Sequence, residues 1–351
     1  MGQTSMSAIL ALAAVTSALL GCGCGKHGET SPAGQTSPAS DSAGEASLTG
    51  AGATFPAPLY QQWFQEYKTK TGVAINYQPI GSGGGIKNIT AKAVDFGASD
   101  APMNEAEMQA APGILHVPTV AGAVCVSYNV PGVPPHIHLT GTVIAAIYLG
   151  AVKTWNDPAI SALNPGTTLP ATPIVACHRS DGSGTTNIFT NYLSEISPAW
   201  KTSVGAGKSV KWPNGLGGKG NAGIAQLLQQ NAGSVGYIEL AYAVQNKINF
   251  ADVQNAKGNF IAPSVEATTA AASGVILPAD FRKVITNTSA SKGYPITGFT
   301  FLLVYPNSKP ELKLFLLWAM ADGQKDAAGL NYAPLPPAIQ QKAVAEINGM
   351  K

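Results

Sequence analysis

RSDGSGTTNIFTNYL (residues 179–193) reads as the end of a strand, a glycine- and hydroxyl-rich loop, and the start of a helix. A helix start presents unpaired backbone N–H groups and the positive end of the macrodipole, which together hold an anion without a cationic side chain. Glycine lets backbone approach a ligand closely, and Ser or Thr adds a hydroxyl donor. Arg179 supplies a planar, always-charged donor fork just ahead of the loop. Asp181, two residues on, is placed to pair with it. A surface turn with a chance ion pair would look the same in isolation. Two more loops of the same make, Gly52-Ala53-Thr54-Phe55 and Gly81-Ser82-Gly83-Gly84-Gly85, also run into helical patterns. Together the three point to a pocket for a small oxyanion.

Around these loops strands and helices alternate. Leu59, Trp63, Phe64 and Tyr67 recur at helical spacing behind Pro56 and Pro58. A strand over 73–77 leads into the 81–85 loop and a helix carrying Ile86 and Ile89. The next strand, 93–98, ends at Ser99-Asp100, and Asn104 with Glu107 has capping-box spacing for a further helix. Strands are predicted over 123–128, 173–177, 235–240 and 299–305, and helices over 185–196, 222–230, 311–320 and 338–347. Such alternation implies α/β architecture with mainly parallel sheets flanked by helices. Ligands in these folds sit beyond the carboxyl ends of strands, where the three loops fall.

Asp100 at a strand end admits two readings: helix capping or turn formation beside Pro102, or contact with the anion. A carboxylate is a poor neighbour for a fully deprotonated anion but suits one that carries a proton to donate, as hydrogen phosphate does and sulfate does not. A site built around such a bond can reject the analogue lacking it by about 10⁴-fold or more.

The 351 residues suffice for two domains; 45% are apolar, 39 are glycine, and only 11% are charged, with a net charge of +2. No Lys/Arg run interleaves with aromatics, which argues against a nucleic-acid partner. Residues 1–21 read as an export signal whose alanine-rich stretch is too short to span a bilayer. They end in Leu19-Leu20-Gly21-Cys22, which resembles the lipobox of bacterial lipoproteins and makes Cys22 the lipidation candidate. No Lys or Arg precedes the apolar stretch, and Leu20 is bulky for its place. Residues 22–46, rich in Gly, Ser, Thr, Pro and Ala, form a flexible tether. Cys125 and Cys177 lie in predicted strands, either as two buried thiols or as a disulfide that export would permit.

Other motifs carry less. Gly218-Lys-Gly-Asn-Ala-Gly223 is a literal G-x-G-x-x-G with Glu239 about twenty residues on, but the approach through Pro213 and several glycines is loose for a dinucleotide site. Lys219 is followed by Gly220, so the stretch fails as a P-loop. His136-Ile-His138 has no acidic or Cys neighbour in sequence to complete a metal site. Neither Ser82 nor Ser183 sits in a G-x-S-x-G elbow. Neither a metal nor a cofactor is expected.

The stretches LTGAGATFPAPLY (48–60), YQPIGSGGGIKNI (77–89), VDFGASDAPM (94–103), IYLGAVKTWNDPAI (147–160), RSDGSGTTNIFTNYL (179–193) and VKWPNGLGGKGNAGIA (210–225) resemble, in order and spacing, the periplasmic phosphate-binding proteins of bacterial phosphate-specific ABC transporters. The resemblance covers most of 47–245, is looser from Tyr294 onward, and is faint over 246–292. It implies a two-lobed, type II-like periplasmic-binding-protein fold, with lobe 1 from 47–120 plus 297–351, lobe 2 from 121–296, and a hinge between them. It implies phosphate ligands at Thr54, Phe55, Ser82, Asp100, Arg179, Ser183, Gly184 and Thr185, with Asp181 pairing the arginine. The implied partners are hydrogen phosphate and the membrane permease with its cytoplasmic ATPase; the implied location is the periplasm or outer face of the cytoplasmic membrane, held by the lipid on Cys22. His178 replaces what is often a basic residue in the family. A secreted phosphatase using the same pocket, or a structural lipoprotein that has lost the ligand, are the competing classes.

Overall fold

The computed structural model describes residues 47–351; the export signal, Cys22 and the tether lie outside the described residues. In chain order the strands are β1 (Ser47–Gly52), β2 (Ala74–Gln78), β3 (Phe96–Ser99), β4 (Leu115–Asn129), β5 (His138–Leu139) and β6 (Val175–Arg179). Then follow β7 (Leu216–Gly218), β8 (Ser234–Glu239), β9 (Asn249–Phe250), β10 (Asp252–Gln254), β11 (Phe260–Ile261) and β12 (Thr297–Val304). The main sheet runs β2-β1-β3-β12-β4-β8-β6-β7, with β9 also on β4, and a small sheet runs β11-β10-β5.

β4 is the spine of this arrangement. Its residues 115–123 pair with β12, and residues 124–129 pair with β8, so one strand carries the chain from one half-sheet into the other. In the first half β1 lies parallel to β2 and β3; in the second β6 lies parallel to β7 and β8. Parallel neighbours need crossover connections, and the helices Ala57–Thr71 and Ser82–Thr90 supply them in the first half. β12 and β4 run antiparallel to their neighbours and join the two halves. The register slips between Thr300 and Phe301, opposite Thr119. Pro118 sits beside this bulge, where a missing N–H costs the ladder least. That proline, with His116 and Thr119, breaks the apolar run in sequence, so the pattern over 123–128 covers only part of the fifteen-residue strand.

The helix Ala57–Thr71 shows how sequence sets local structure. Pro56 and Pro58 fit its first turn, and Gly72 closes it at φ 78°. One face buries Leu59, Tyr60, Trp63, Phe64 and Tyr67. Trp63 is fully buried, donates to the carbonyl of Gly323 at 2.8 Å, and meets Trp318 edge-on.

β8 lies between β4 and β6, with Cys125 opposite Ile238 and Cys177 opposite Gly236. The two cysteines therefore stand two strand spacings apart, about 9–10 Å across the sheet, and are further offset by two residues along β8, too far for a disulfide. Both are free, buried thiols. His136 and His138 do not meet at a metal either: His136 bonds Asp252 at 2.8 Å, and His138 stacks on Phe260 at 4.2 Å. No cluster of three or more candidate metal ligands occurs among the described residues.

Replacing Trp63 by Ala removes a large buried ring and one of the two hydrogen bonds that the Gly323 carbonyl accepts, the other coming from the Asp326 N–H at 3.2 Å. Urea unfolding followed by circular dichroism should show a loss of about 3–5 kcal/mol.

Candidate functional site

The three anion-type loops converge where the half-sheets face each other. Ser183 caps the helix Gly184–Ile196 by accepting the N–H of Thr186 at 3.0 Å, which aims the first turn at the opposing half. Facing it, Gly81 precedes the helix Ser82–Thr90. The two loops touch: Gly83 N–H donates to the Gly182 carbonyl at 2.8 Å, and Gly184 N–H donates to Ser82 Oγ at 3.0 Å. Glycine is required at both faces. A Cβ on Gly81, which also has φ +91°, would stand 2.3 Å from an Asp181 carboxylate oxygen; one on Gly184 would stand 2.5 Å from Asp100 Cβ and 2.6 Å from Ser82 Oγ.

Asp100 lies at the bottom of this contact, 3% exposed. Its Oδ1 accepts from Thr300 Oγ1 at 2.9 Å, and its Oδ2 lies 3.5 Å from Ser82 Oγ. Thr300, on β12, was invisible as a functional residue in the sequence, because nothing local marks a mid-strand threonine. Burial pushes the Asp100 carboxyl up to about 7, against the lowering influence of Thr300, of the Arg179 charge and of Ser82.

Arg179 ends β6 with its side chain fully enclosed. Its Nε and Nη2 donate to Asp181 at 2.7 and 2.5 Å, the bidentate pair anticipated from their spacing, while Nη1 reaches Thr185 Oγ1 at 3.4 Å. Burial would raise the Asp181 carboxyl, but its bonds with Arg179, the charge of Arg179 and the N–H of Gly220 outweigh it and leave it below the usual carboxylate range. His178 faces the other way and stacks on Trp212 at 4.8 Å. Burial lowers its imidazole, so it adds no charge at neutral pH.

The G-x-G-x-x-G stretch belongs to this site. β7 runs directly into its turn, unlike the loose approach expected, and the helix Gly220–Gln230 begins at its second glycine. Gly220 N–H donates to Asp181 at 3.0 Å, and Asn221 Nδ2 donates to Thr54 Oγ1 at 2.9 Å and reaches Thr185 Oγ1 at 3.4 Å. Asn221 thus ties the first loop to the third. Glu239, the ribose acceptor of a dinucleotide reading, is instead fully buried; its Oε2 accepts from the Ala241 N–H at 2.8 Å and lies 3.1 Å from the Tyr332 hydroxyl. Burial raises that carboxyl well above its usual range.

Thr54, Phe55, Ser82, Asp100, Arg179, Ser183, Gly184 and Thr185 therefore occupy one enclosed cluster spanning both halves. Two ion pairs flank it: Lys208 with Glu107 at 2.7 Å and Arg282 with Glu105 at 2.8 Å, both acids lying in the first turn of the helix Glu105–Ala110. The donor set is rich in N–H and O–H dipoles, its one arginine is partly neutralised, and a single carboxyl faces the centre. Such a set suits an oxyanion that can both accept many hydrogen bonds and give one.

Gly184→Ala keeps an allowed backbone conformation but wedges the halves apart, so anion binding should fall by about a hundredfold or more while the circular dichroism spectrum is unchanged. A second outcome follows from the Asp100 carboxyl. Its folded-state pKa is raised, so its contribution to stability is full below about pH 4 and is lost as pH rises through 7. A shift of this size is worth about 4 kcal/mol. Denaturant titrations of the anion-free protein between pH 4 and 8 should show this decline, and Asp100→Asn should make it shallower, leaving the part due to Glu239 and Glu346, whose carboxyls burial also raises.

Residues 34–322 match the family model described as a PBP superfamily domain. The chain is 45% identical over 318 residues to the phosphate-binding protein PstS of Xylella fastidiosa (strain 9a5c), covering 88% of this chain and 87% of that one. It is 46% identical over 301 residues to the PstS of Haemophilus influenzae, covering 84% and 90%. The fold is like that of the crystallised phosphate-binding protein of Stenotrophomonas maltophilia, with a TM-score of 0.65, 21% identity, and coverage of 86% and 93%. With its loops, spacing and two-lobed architecture in agreement, the chain belongs to the PstS phosphate-binding proteins of the PBP superfamily.

Proposed function

We propose that the protein binds inorganic phosphate, as hydrogen phosphate, in the cleft between two lobes and delivers it to the membrane permease of a phosphate ABC transporter powered by a cytoplasmic ATPase. The observation that carries this reading is the buried Asp100 carboxyl at the centre of a cluster otherwise made of donors. An acceptor in that place rewards a ligand that brings a proton and penalises one that does not. Thr54, Phe55, Ser82 and Asp100 hold the anion from lobe 1 (47–120 plus 297–351); Arg179, Ser183, Gly184 and Thr185 hold it from lobe 2 (121–296). The hinge lies where β4 and the segment entering β12 cross between lobes.

Relatives carrying this architecture are named as binding proteins, and the serines offer no better case for hydrolysis. Ser82 Oγ accepts from the N–H groups of Asp100 and Gly184, at 3.2 and 3.0 Å, and Ser183 Oγ caps its helix. The one carboxyl beside Ser82 Oγ is Asp100, at a long 3.5 Å, and Ser183 Oγ is bonded to the Thr186 N–H rather than to a base. The protein works in the periplasm or on the outer face of the cytoplasmic membrane, anchored by lipid on Cys22; no helix among the described residues is long and apolar enough to cross a membrane.

Calorimetric titration of the anion-stripped protein at pH 7 to 8 should give one-to-one phosphate binding and no response to sulfate. In Asp100→Asn the phosphate-to-sulfate affinity ratio should drop by about a hundredfold or more. Equal heats from both anions in the wild type, or an unchanged ratio in the variant, would contradict the role of Asp100.

A further inference from the structure

Three consecutive carbonyls in the first loop each accept a tyrosine hydroxyl. Tyr77 donates to the Ala53 carbonyl at 2.6 Å, Tyr242 to the Thr54 carbonyl at 2.7 Å, and Tyr332 to the Phe55 carbonyl at 2.7 Å. A carbonyl and the next residue's N–H belong to one peptide group. The Ala53 carbonyl is the far end of the peptide whose N–H is Thr54, and the Thr54 carbonyl is the far end of the peptide whose N–H is Phe55. We propose that Tyr77 and Tyr242 are positioning residues for phosphate, each orienting and polarising one N–H donor of the Thr54–Phe55 turn through the carbonyl of the same peptide. This rests on the phosphate reading of the site given above.

The chemistry is that of a hydrogen-bond chain. A donor on a carbonyl withdraws charge along the amide and strengthens the bond its N–H makes, most in a water-poor interior. Where arginine is already engaged by a carboxylate, such strengthening of neutral donors is a way to stabilise a buried dianion. Burial raises the Tyr77 and Tyr242 hydroxyls above the usual phenolic range, so both stay protonated donors across working pH. The Tyr77 ring is fixed by stacking on Phe96 and by an edge contact with Tyr60.

Tyr332 differs in kind. The Phe55 carbonyl leads into Pro56, which has no N–H, so Tyr332 anchors the turn without acting on a donor. Tyr242 also differs from Tyr77 in origin. It comes from the other half of the molecule, on a helix whose start is capped by Glu239. Its bond to the Thr54 carbonyl spans the cleft, so the Phe55 donor gains full strength only when the lobes meet. Closure and donor strength are coupled through one hydroxyl.

The test uses ¹⁵N-labelled protein saturated with phosphate, with amide proton shifts of Thr54 and Phe55 read alongside calorimetric affinity. Tyr242→Phe should move the Phe55 amide upfield and leave Thr54 in place; Tyr77→Phe should do the reverse. Each should weaken phosphate binding by about threefold to tenfold. Affinity within about twofold of wild type with both amides unmoved would overturn the proposal. So would a loss of affinity whose amide shifts do not follow this pairing, because that is what a merely structural tyrosine would give. If Tyr77→Phe fails to fold by thermal melting, Tyr242→Phe alone decides. If phosphate moves neither amide in the wild type, the placement of the anion is wrong, and the tyrosine argument falls with it for a separate and visible reason.

Discussion

The Arg179–Asp181 pair sets the terms for everything around it. Two of the guanidinium's donors are committed to a neighbouring carboxylate at 2.7 and 2.5 Å, so the site has no uncommitted full positive charge at its centre. An anion held here must be held largely by dipoles, and dipoles work only when aimed and kept from water. The helix beginning at Gly184, the helix beginning at Ser82 and the Thr54–Phe55 turn each supply aimed N–H groups. No single half-sheet could surround an anion with all three. The two-lobed architecture is therefore what makes a nearly neutral cradle possible.

Close approach between the lobes follows from glycine and from polar bridges rather than from apolar contact. Gly83 and Gly182 meet through their backbones, Gly184 rests against Ser82 and Asp100, and Asn221 links Thr54 to Thr185. These bonds hold only when both partners are present and are exchanged for water when the lobes part, so their net value is small. A small net value is what a carrier needs, since it must open as well as close. The rigid parts lie behind: β4 and β12, buried along most of their length, and the aromatic cluster around Trp63.

Much of this was legible in the sequence because its signals are local. The capping box of Asn104 and Glu107 forms as its spacing indicates, with both reciprocal bonds present. The helices over 57–71 and 184–196 begin and end within a few residues of their pattern boundaries, and Asp181 pairs with Arg179 as their separation allows. What stayed hidden depends on contacts between distant parts of the chain. Thr300 meets Asp100 across 200 residues, and Tyr332 meets Phe55 across 277. Asn221 sat inside a glycine motif whose spacing points to a dinucleotide. The motif's real work is to bring an N–H to Asp181 and an amide to Thr54, which only the tertiary arrangement makes visible. The separation of Cys125 and Cys177 was equally beyond the sequence, because it depends on β8 lying between their strands.

The central claim is that a protonated oxyanion sits against Asp100 with both lobes closed on it. An atomic-resolution crystal structure of the protein grown with phosphate tests this most directly. The phosphate should have its nearest oxygen about 2.5–2.7 Å from Asp100, with the remaining oxygens on the N–H and O–H groups of Thr54, Phe55, Ser82, Arg179, Ser183, Gly184 and Thr185. A phosphate bound elsewhere, or one in the cleft with a water between it and Asp100, would contradict it.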